Sequence, residues 1–220
     1  RIAKPWLNQV HVSNISERAP VLKHEMAHIF GAEIATGFLG IPTSLGVFPQ
    51  MALVEGLATY LEGRRGERSL EQWSAALLTL ERLPKVASIL GPEGYTSTYG
   101  PTAYTASGSF LEYLDAHHGR TKLLNLYKTG DFSETYGVPV QTLESQWRDF
   151  LTTEVHVTDT LIAEAEFKYD RKSVLNRKCP VVVARLEREA GQLATRKQWE
   201  RALHLREEVC AINPQDPVAS

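Results

Sequence analysis

The feature that most constrains this chain is a short pattern near its start, His24-Glu25-x-x-His28. Residues four apart on an α-helix project from the same face, so both imidazoles can reach one metal ion. Glu25 lies about 100° further round the helix, where its carboxylate can act as a base for metal-bound water rather than as a ligand. The pattern therefore predicts a helix that supplies two ligands of a metal site, which a third ligand would complete.

We predict that this helix spans residues 17–34, and two residues mark its start. Ser16 is a suitable N-cap, and Pro20 falls in the first turn, where proline is tolerated. Upstream, the alternation of apolar and polar residues over 7–12 predicts one short strand. Downstream, residues 35–50 combine five Gly and Pro residues with many apolar ones, which predicts a loop that packs over the site as a wall of its cleft.

A second predicted helix, over 51–63, carries Glu55 between apolar neighbours. On its own, such a residue would be interpreted as a first-turn carboxylate that interacts with the helix dipole. Beside the two-histidine pattern a ligand role is favoured, because catalytic zinc takes three protein ligands, and two histidines with one glutamate are a known set. We therefore expect one Zn²⁺ ion held by His24, His28 and Glu55, with Gly56 allowing the two helices to approach closely.

Helical periodicity predicts further helices over 69–83, 103–118, 120–129 and 141–153. The Gly- and Pro-rich stretch 84–102 is predicted to be a long loop, and a loop of that length inside a compact domain is usually functional.

Together these residues resemble those of a known family. His24-Glu25-x-x-His28 followed by Glu55-Gly-Leu-Ala-x-Tyr is similar to the gluzincin metallopeptidases, in particular to the compact bacterial peptidase MA-like domains, which are reduced relatives of the M1 aminopeptidases. The resemblance covers about residues 20–151. It implies a mainly α fold, with a thermolysin-like catalytic helical domain and a small residual β element at the N-terminus.

The resemblance also implies roles for two tyrosines. In the family, a tyrosine at the start of a helix downstream of the glutamate ligand stabilises the tetrahedral intermediate, and Tyr104 matches that position. Tyr99, five residues earlier, matches a second active-site tyrosine. The implied activity is zinc-dependent hydrolysis of a peptide or protein substrate. In it, Glu25 acts as general base and one tyrosine hydroxyl donates to the oxyanion.

Some residues depart from related patterns. The Gly-x-Met-Glu-Asn segment that grips a substrate amino terminus in the aminopeptidases is not found in this sequence, which puts exopeptidase action in doubt. The spacing from His28 to Glu55 is longer than in those enzymes, so the intervening loop is interpreted as an elaboration. Ile34 stands where a metzincin would have its third histidine, which excludes that class.

Beyond residue 153 the sequence becomes more polar, and residues 154–178 are predicted to form a helical connector. Two amphipathic stretches within 179–220 resemble one tetratricopeptide-type helical hairpin, a candidate surface for a protein partner. The predicted domains are thus a zinc peptidase domain over 1–153 and this hairpin. We interpret the strand over 7–12 as the edge of a sheet that lies mostly upstream, and the start at Arg1, without Met or a signal-peptide pattern, as that of a processed or excised chain.

The two cysteines, Cys179 and Cys210, fall at the same end of the predicted hairpin. We hypothesise that they form a disulfide, which would fit an extracytoplasmic, oxidising compartment such as the bacterial periplasm. The alternative is two separate, half-buried cysteines. Equal thiol counts before and after reduction of the native protein would contradict the disulfide.

Composition argues against two classes of partner. The formal net charge is -2, which argues against a nucleic-acid-binding protein. No apolar run approaches the ~20 residues that span a membrane.

Two rival functions stay open. In the first, the chain is a scaffold or peptide-binding protein whose metal site is vestigial or structural, although such a protein would have no need of Glu25. In the second, the same residues form a metal-dependent hydrolase of a non-peptide amide.

Overall fold

The computed structural model describes residues 2–4, 9–11, 19–37, 40–63, 66–170, 180–196 and 198–212. The chain divides into two compact units, Arg1–Arg171 and Lys172–Ser220. Both consist mainly of helices, which confirms the predicted mainly α class. Among the described helices, not one has the combination of length and apolarity that crossing a bilayer requires.

The described elements of the first unit follow one another along the chain as short strands and then helices. They are β1 (Ile2–Lys4), β2 (Gln9–His11), α1 (Ala19–Ile34), β3 (Thr43–Ser44), β4 (Phe48–Pro49), α2 (Met51–Glu62), α3 (Leu70–Thr79), α4 (Val86–Ile89), α5 (Pro92–Ser97), α6 (Gly100–His118), α7 (Arg120–Thr129), α8 (Phe132–Tyr136), α9 (Val140–Thr153) and α10 (Asp159–Tyr169).

The N-terminal β element is a ribbon of two strands. β1 pairs with β2 in antiparallel fashion, with Ile2 opposite His11. The single strand predicted over 7–12 thus corresponds to β2 and has a partner strand upstream. Helix α1 ends at Ile34 as predicted, whereas its predicted N-cap, Ser16, lies outside the described residues.

The loop predicted over 35–50 contains a small hairpin. β3 pairs with β4, and the turn between them has positive φ angles at Leu45 and Gly46. The apolar side chains of this hairpin lie largely in solvent, since Leu45 is 88% exposed and Phe48 60% exposed. The tip of this loop therefore does not form the buried wall over the site that was predicted.

Helix α6 is the centre of the first unit. It is buried along most of its length and packs against α2, α3, α7 and α9. A methyl group on Gly56 would lie 3.0 Å from Cβ of Ser107, so this glycine allows α2 to approach α6. The prediction that Gly56 serves the approach of α1 is wrong. The three atoms nearest that methyl group all belong to Ser107 and Leu111 of α6.

Helix α3 begins as predicted and ends earlier. Ser69 caps it, accepting from the backbone N–H of Gln72, whose side chain accepts from the N–H of Ser69 in return. Glu81 takes a left-handed conformation with φ 56°. This turn brings the backbone N–H groups of residues 82 and 83 to the carbonyl of Leu77, which ends the helix before the predicted position.

The stretch 84–102 is more ordered than predicted. It contains the short helices α4 and α5, and α6 already begins at Gly100. Val86, Ile89 and Tyr95 are buried in the core. Burial of these side chains holds the two short helices in place, so the long loop predicted here is wrong.

Helix α10 falls within the predicted connector but belongs to the first unit. Leu161, Ala165 and Tyr169 are buried against the core, and the Tyr169 hydroxyl lies 3.0 Å from that of Thr105. The structural boundary follows Arg171 rather than residue 153. The predicted boundary is too early because Leu161, Ala165 and Tyr169 form an apolar face on α10, and such a face is buried against neighbouring helices.

The second unit contains α11 (Pro180–Thr195) and α12 (Trp199–Ile212), which pack against each other. Leu186 and Ala190 on α11, with Ala202 and Val209 on α12, are buried. A helical pair is present where the sequence predicts one. Cys179 and the side chain of Cys210 lie outside the described residues, so the disulfide stays a prediction.

Glu112 on α6 makes the stability of the first unit depend on pH. Its Oε2 is buried without a hydrogen-bond partner among the described residues. Burial, with a smaller effect from Glu71, raises the pKa of Glu112 from 4.5 to about 7. Because the folded pKa lies above the unfolded one, the carboxyl is destabilising once the pH rises through this range, and fully so above about pH 7.

We expect Glu112→Gln to raise the free energy of unfolding at pH 8 by about 1 kcal/mol, a value reduced for solvent screening of this partly exposed group. At about pH 3, where the Glu112 carboxyl of the wild type is protonated in both the folded and the unfolded state, the gain should nearly vanish. Urea denaturation at the two pH values measures this, with the exposed Glu154→Gln as control. An equal gain at both pH values would contradict the prediction.

Candidate metal centre

Helix α1 brings the two histidines side by side. The ring centroids of His24 and His28 are 5.0 Å apart, and both rings are half-buried. This is the arrangement that the spacing of four predicts, since both side chains leave the same face of one helix.

Helix α2 adds the carboxylate of Glu55. Its Oε2 lies 3.4 Å from Nε2 of His24 and 3.7 Å from Nε2 of His28. The candidate ligand atoms of the three residues all lie within 4.8 Å of one another, and no other such group occurs in the described part of the chain. Ligands about 2.0–2.1 Å from a tetrahedral centre are about 3.4 Å apart, which is close to the two distances from Glu55 Oε2. The three residues can hold a metal ion.

The electrostatics of the trio favour a cation. Burial disfavours a charged imidazole at His24, but the carboxylates of Glu55 and Glu62 outweigh it and raise the pKa of His24 to about 9. At His28 burial dominates and lowers the pKa. The carboxylates of Glu55 and Glu62 stabilise the positive charge of a protonated His24. The same negative charges would attract a metal ion.

Glu25 lies beside the trio and outside it. It is half-buried, and its negative charge acts on the imidazole of His28. Its carboxylate is therefore near the ligands without being one of them, as the helical offset from His24 predicts.

The structure separates the two candidate tyrosines. Tyr104, in the first turns of α6, places its ring edge-to-face with that of His24 at a centroid distance of 6.2 Å. Tyr99 is the N-cap residue of the same helix, packed half-buried against the core, and no ring contact joins it to the trio among the described residues. Tyr104 therefore lies at the site, and Tyr99 lacks such a contact.

Three residues near the site were not predicted from the sequence. Oε2 of Glu62 lies 3.3 Å from Nδ1 of His24. The buried ring of Tyr95 lies 5.8 Å from the ring of Tyr104. Tyr127 is buried against α1 where Gly31 leaves room, and burial, with the charge of Glu55, raises the pKa of its hydroxyl. Of these three residues, only Glu62 could have been predicted from the sequence. It follows Glu55 by seven residues, close to two helical turns, so both side chains leave the same face of α2.

The histidines at the end of α6 take no part in the trio. The ring of His117 stacks on that of Tyr113, with ring centroids 4.2 Å apart. Nδ1 of His117 also lies 3.0 Å from the backbone carbonyl oxygen of Tyr113. Both His117 and His118 are in the last turn of the helix.

Comparisons of the chain with protein-family models, with curated proteins and with solved structures give no match. The chemistry of the site is therefore the basis for a functional proposal.

Proposed function

We propose that this protein is a zinc-dependent peptidase of the gluzincin type. His24, His28 and Glu55 would hold one zinc ion, and the convergence of their donor atoms within 4.8 Å is the observation that supports this most directly. Two imidazoles and one carboxylate match a catalytic zinc site, which leaves one position for water or substrate. Glu25, next to the first ligand, supports a hydrolytic site over a structural one.

Bound zinc would supply a Lewis acid that polarises the scissile carbonyl and makes water a nucleophile near neutral pH. The carboxylate of Glu25 would accept the proton of the attacking water and pass it to the leaving nitrogen. The hydroxyl of Tyr104 would donate to the oxyanion that develops on the carbonyl oxygen. Its contact with the ring of His24 supports this role over the alternative donor, Tyr99.

A peptidase of this type would also have a particular fold and cellular location. The first unit would be a thermolysin-like catalytic domain, and α11 with α12 a tetratricopeptide-like hairpin that contacts a protein partner. A disulfide between Cys179 and Cys210 would favour an extracytoplasmic site of action.

The test is zinc content together with peptide hydrolysis. The full chain, stripped with a chelator and reloaded, should bind about one zinc ion and cleave members of a quenched-fluorescent peptide library. Activity should disappear on chelation and return with zinc. Absence of zinc binding would favour the scaffold, and cleavage of non-peptide amides alone would favour the other hydrolase.

Tyr104→Phe should lower kcat by about 10²–10³-fold, because it removes one donor to the oxyanion. Zinc affinity should be unchanged, since no ligand is altered. Tyr99→Phe is the matched control and should change kcat by less than about fivefold. A greater loss in Tyr99→Phe than in Tyr104→Phe would reverse the assignment.

A further inference from the structure

A second carboxylate faces the metal ligands from the other side of His24. Glu62 follows Glu55 by seven residues on α2, close to two full turns, so the two side chains leave the same face of the helix. Nε2 of His24 is 3.4 Å from Oε2 of Glu55, and Nδ1 is 3.3 Å from Oε2 of Glu62. Each nitrogen of this imidazole therefore has its own carboxylate neighbour.

Nδ1 of His24 is shielded from solvent and has no hydrogen-bond partner among the described residues. Glu62 is within ion-pair distance of it, although the alignment falls short of a hydrogen bond. A cation at Nε2 requires a neutral imidazole, whose proton must then be on Nδ1. In that tautomer the Nδ1–H group needs an acceptor, and a modest rotation of the Glu62 carboxylate supplies one.

We propose that Glu62 is a positioning residue of the metal centre. It accepts the Nδ1–H of His24, which holds the ring in place and selects the tautomer whose Nε2 lone pair faces the metal. This role rests on the proposed zinc site and adds a residue outside the ligand set. The Glu62 side chain is only 19% exposed, so water does not readily replace it. Loss of such an acceptor weakens metal binding by about 10–100-fold.

The test compares zinc dissociation constants, measured on the full chain by competition with a chromophoric chelator. Glu62→Ala removes the acceptor and should weaken zinc binding about 10–100-fold. Glu62→Gln keeps an acceptor oxygen without the charge, so its loss should be smaller. Glu67→Gln removes an exposed carboxylate elsewhere and should stay within about twofold of the wild type.

Two results would overturn the role of Glu62. Equal losses in the Gln and Ala variants would mean that only its charge matters, and wild-type affinity in Glu62→Ala would mean that it does not matter. Circular dichroism of the zinc-free variants detects misfolding. If Glu62→Ala misfolds, nitrogen-15 NMR of the zinc-loaded wild type decides, since a His24 proton on Nε2 would refute the proposal.

The chelator competition distinguishes failure of the Glu62 role from failure of the zinc site itself. A wild type that binds no zinc overturns both. A wild type that binds zinc with an affinity indifferent to Glu62 overturns the positioning role alone.

Discussion

Replacing Glu25 with glutamine is expected to lower kcat by about 10²–10⁴-fold, the usual contribution of a general base. Glutamine is nearly isosteric with glutamate and cannot accept the proton of the attacking water. The side chain lies beside the His24, His28 and Glu55 trio rather than within it. Zinc content should therefore stay at the wild-type level, and the loss should fall on kcat rather than on metal binding.

The measurement is peptide hydrolysis at saturating substrate, with the zinc content of each preparation determined in parallel. Glu33→Gln is the matched control, because Glu33 is an exposed glutamate on the same helix. Full activity in Glu25→Gln would refute the proposed base, and loss of zinc from that variant would show that Glu25 supports the metal instead.

Glu55→Ala is expected to weaken zinc binding by more than about 100-fold. Loss of a residue that only hydrogen-bonds to a ligand weakens binding by about 10–100-fold, and loss of a ligand itself should cost more. Glu55 is the one ligand of the trio that comes from α2, and its Oε2 is 3.4 Å and 3.7 Å from the two histidine nitrogens. Without it, the two histidines on α1 remain as a two-ligand site.

Thermal denaturation gives a second readout of the same variant. A ligand that binds the native state at 100 times its dissociation constant stabilises the protein by about 2.7 kcal/mol. Zinc should thus raise the melting temperature of the wild type and of the control Glu67→Ala, and leave that of Glu55→Ala unchanged. An equal zinc-induced shift in all three proteins would place the metal elsewhere.

The three candidate metal ligands could be grouped from the sequence because two of them obey a local rule. His24 and His28 meet through the helical repeat alone, and the rings are neighbours in the structure. Glu55 was harder, since its helix must pack against α1. It was predicted as the third candidate because catalytic zinc takes three protein ligands and α2 carries a carboxylate among apolar residues.

Other parts of the fold could not be read from local patterns. Gly56 was assigned to the wrong neighbour, because a glycine shows that something approaches closely but not which element does so. The helices α4 and α5 were predicted as loop, since Gly and Pro residues conceal short helices that are held by burial of Val86, Ile89 and Tyr95. Helix α10 was taken for a connector because its surface is polar on the exposed side.

The sequence by itself determined the helical class, the two-histidine face of α1 and the grouping of Glu55 with the two histidines. These follow from the helical period and from the chemistry of zinc, both of which act over short spans or through residue type. Only the tertiary structure decided that Tyr104 rather than Tyr99 contacts His24, and that Glu62 faces Nδ1 of that histidine. Those contacts depend on how α2 and α6 are placed against α1, and packing of whole helices sets that placement.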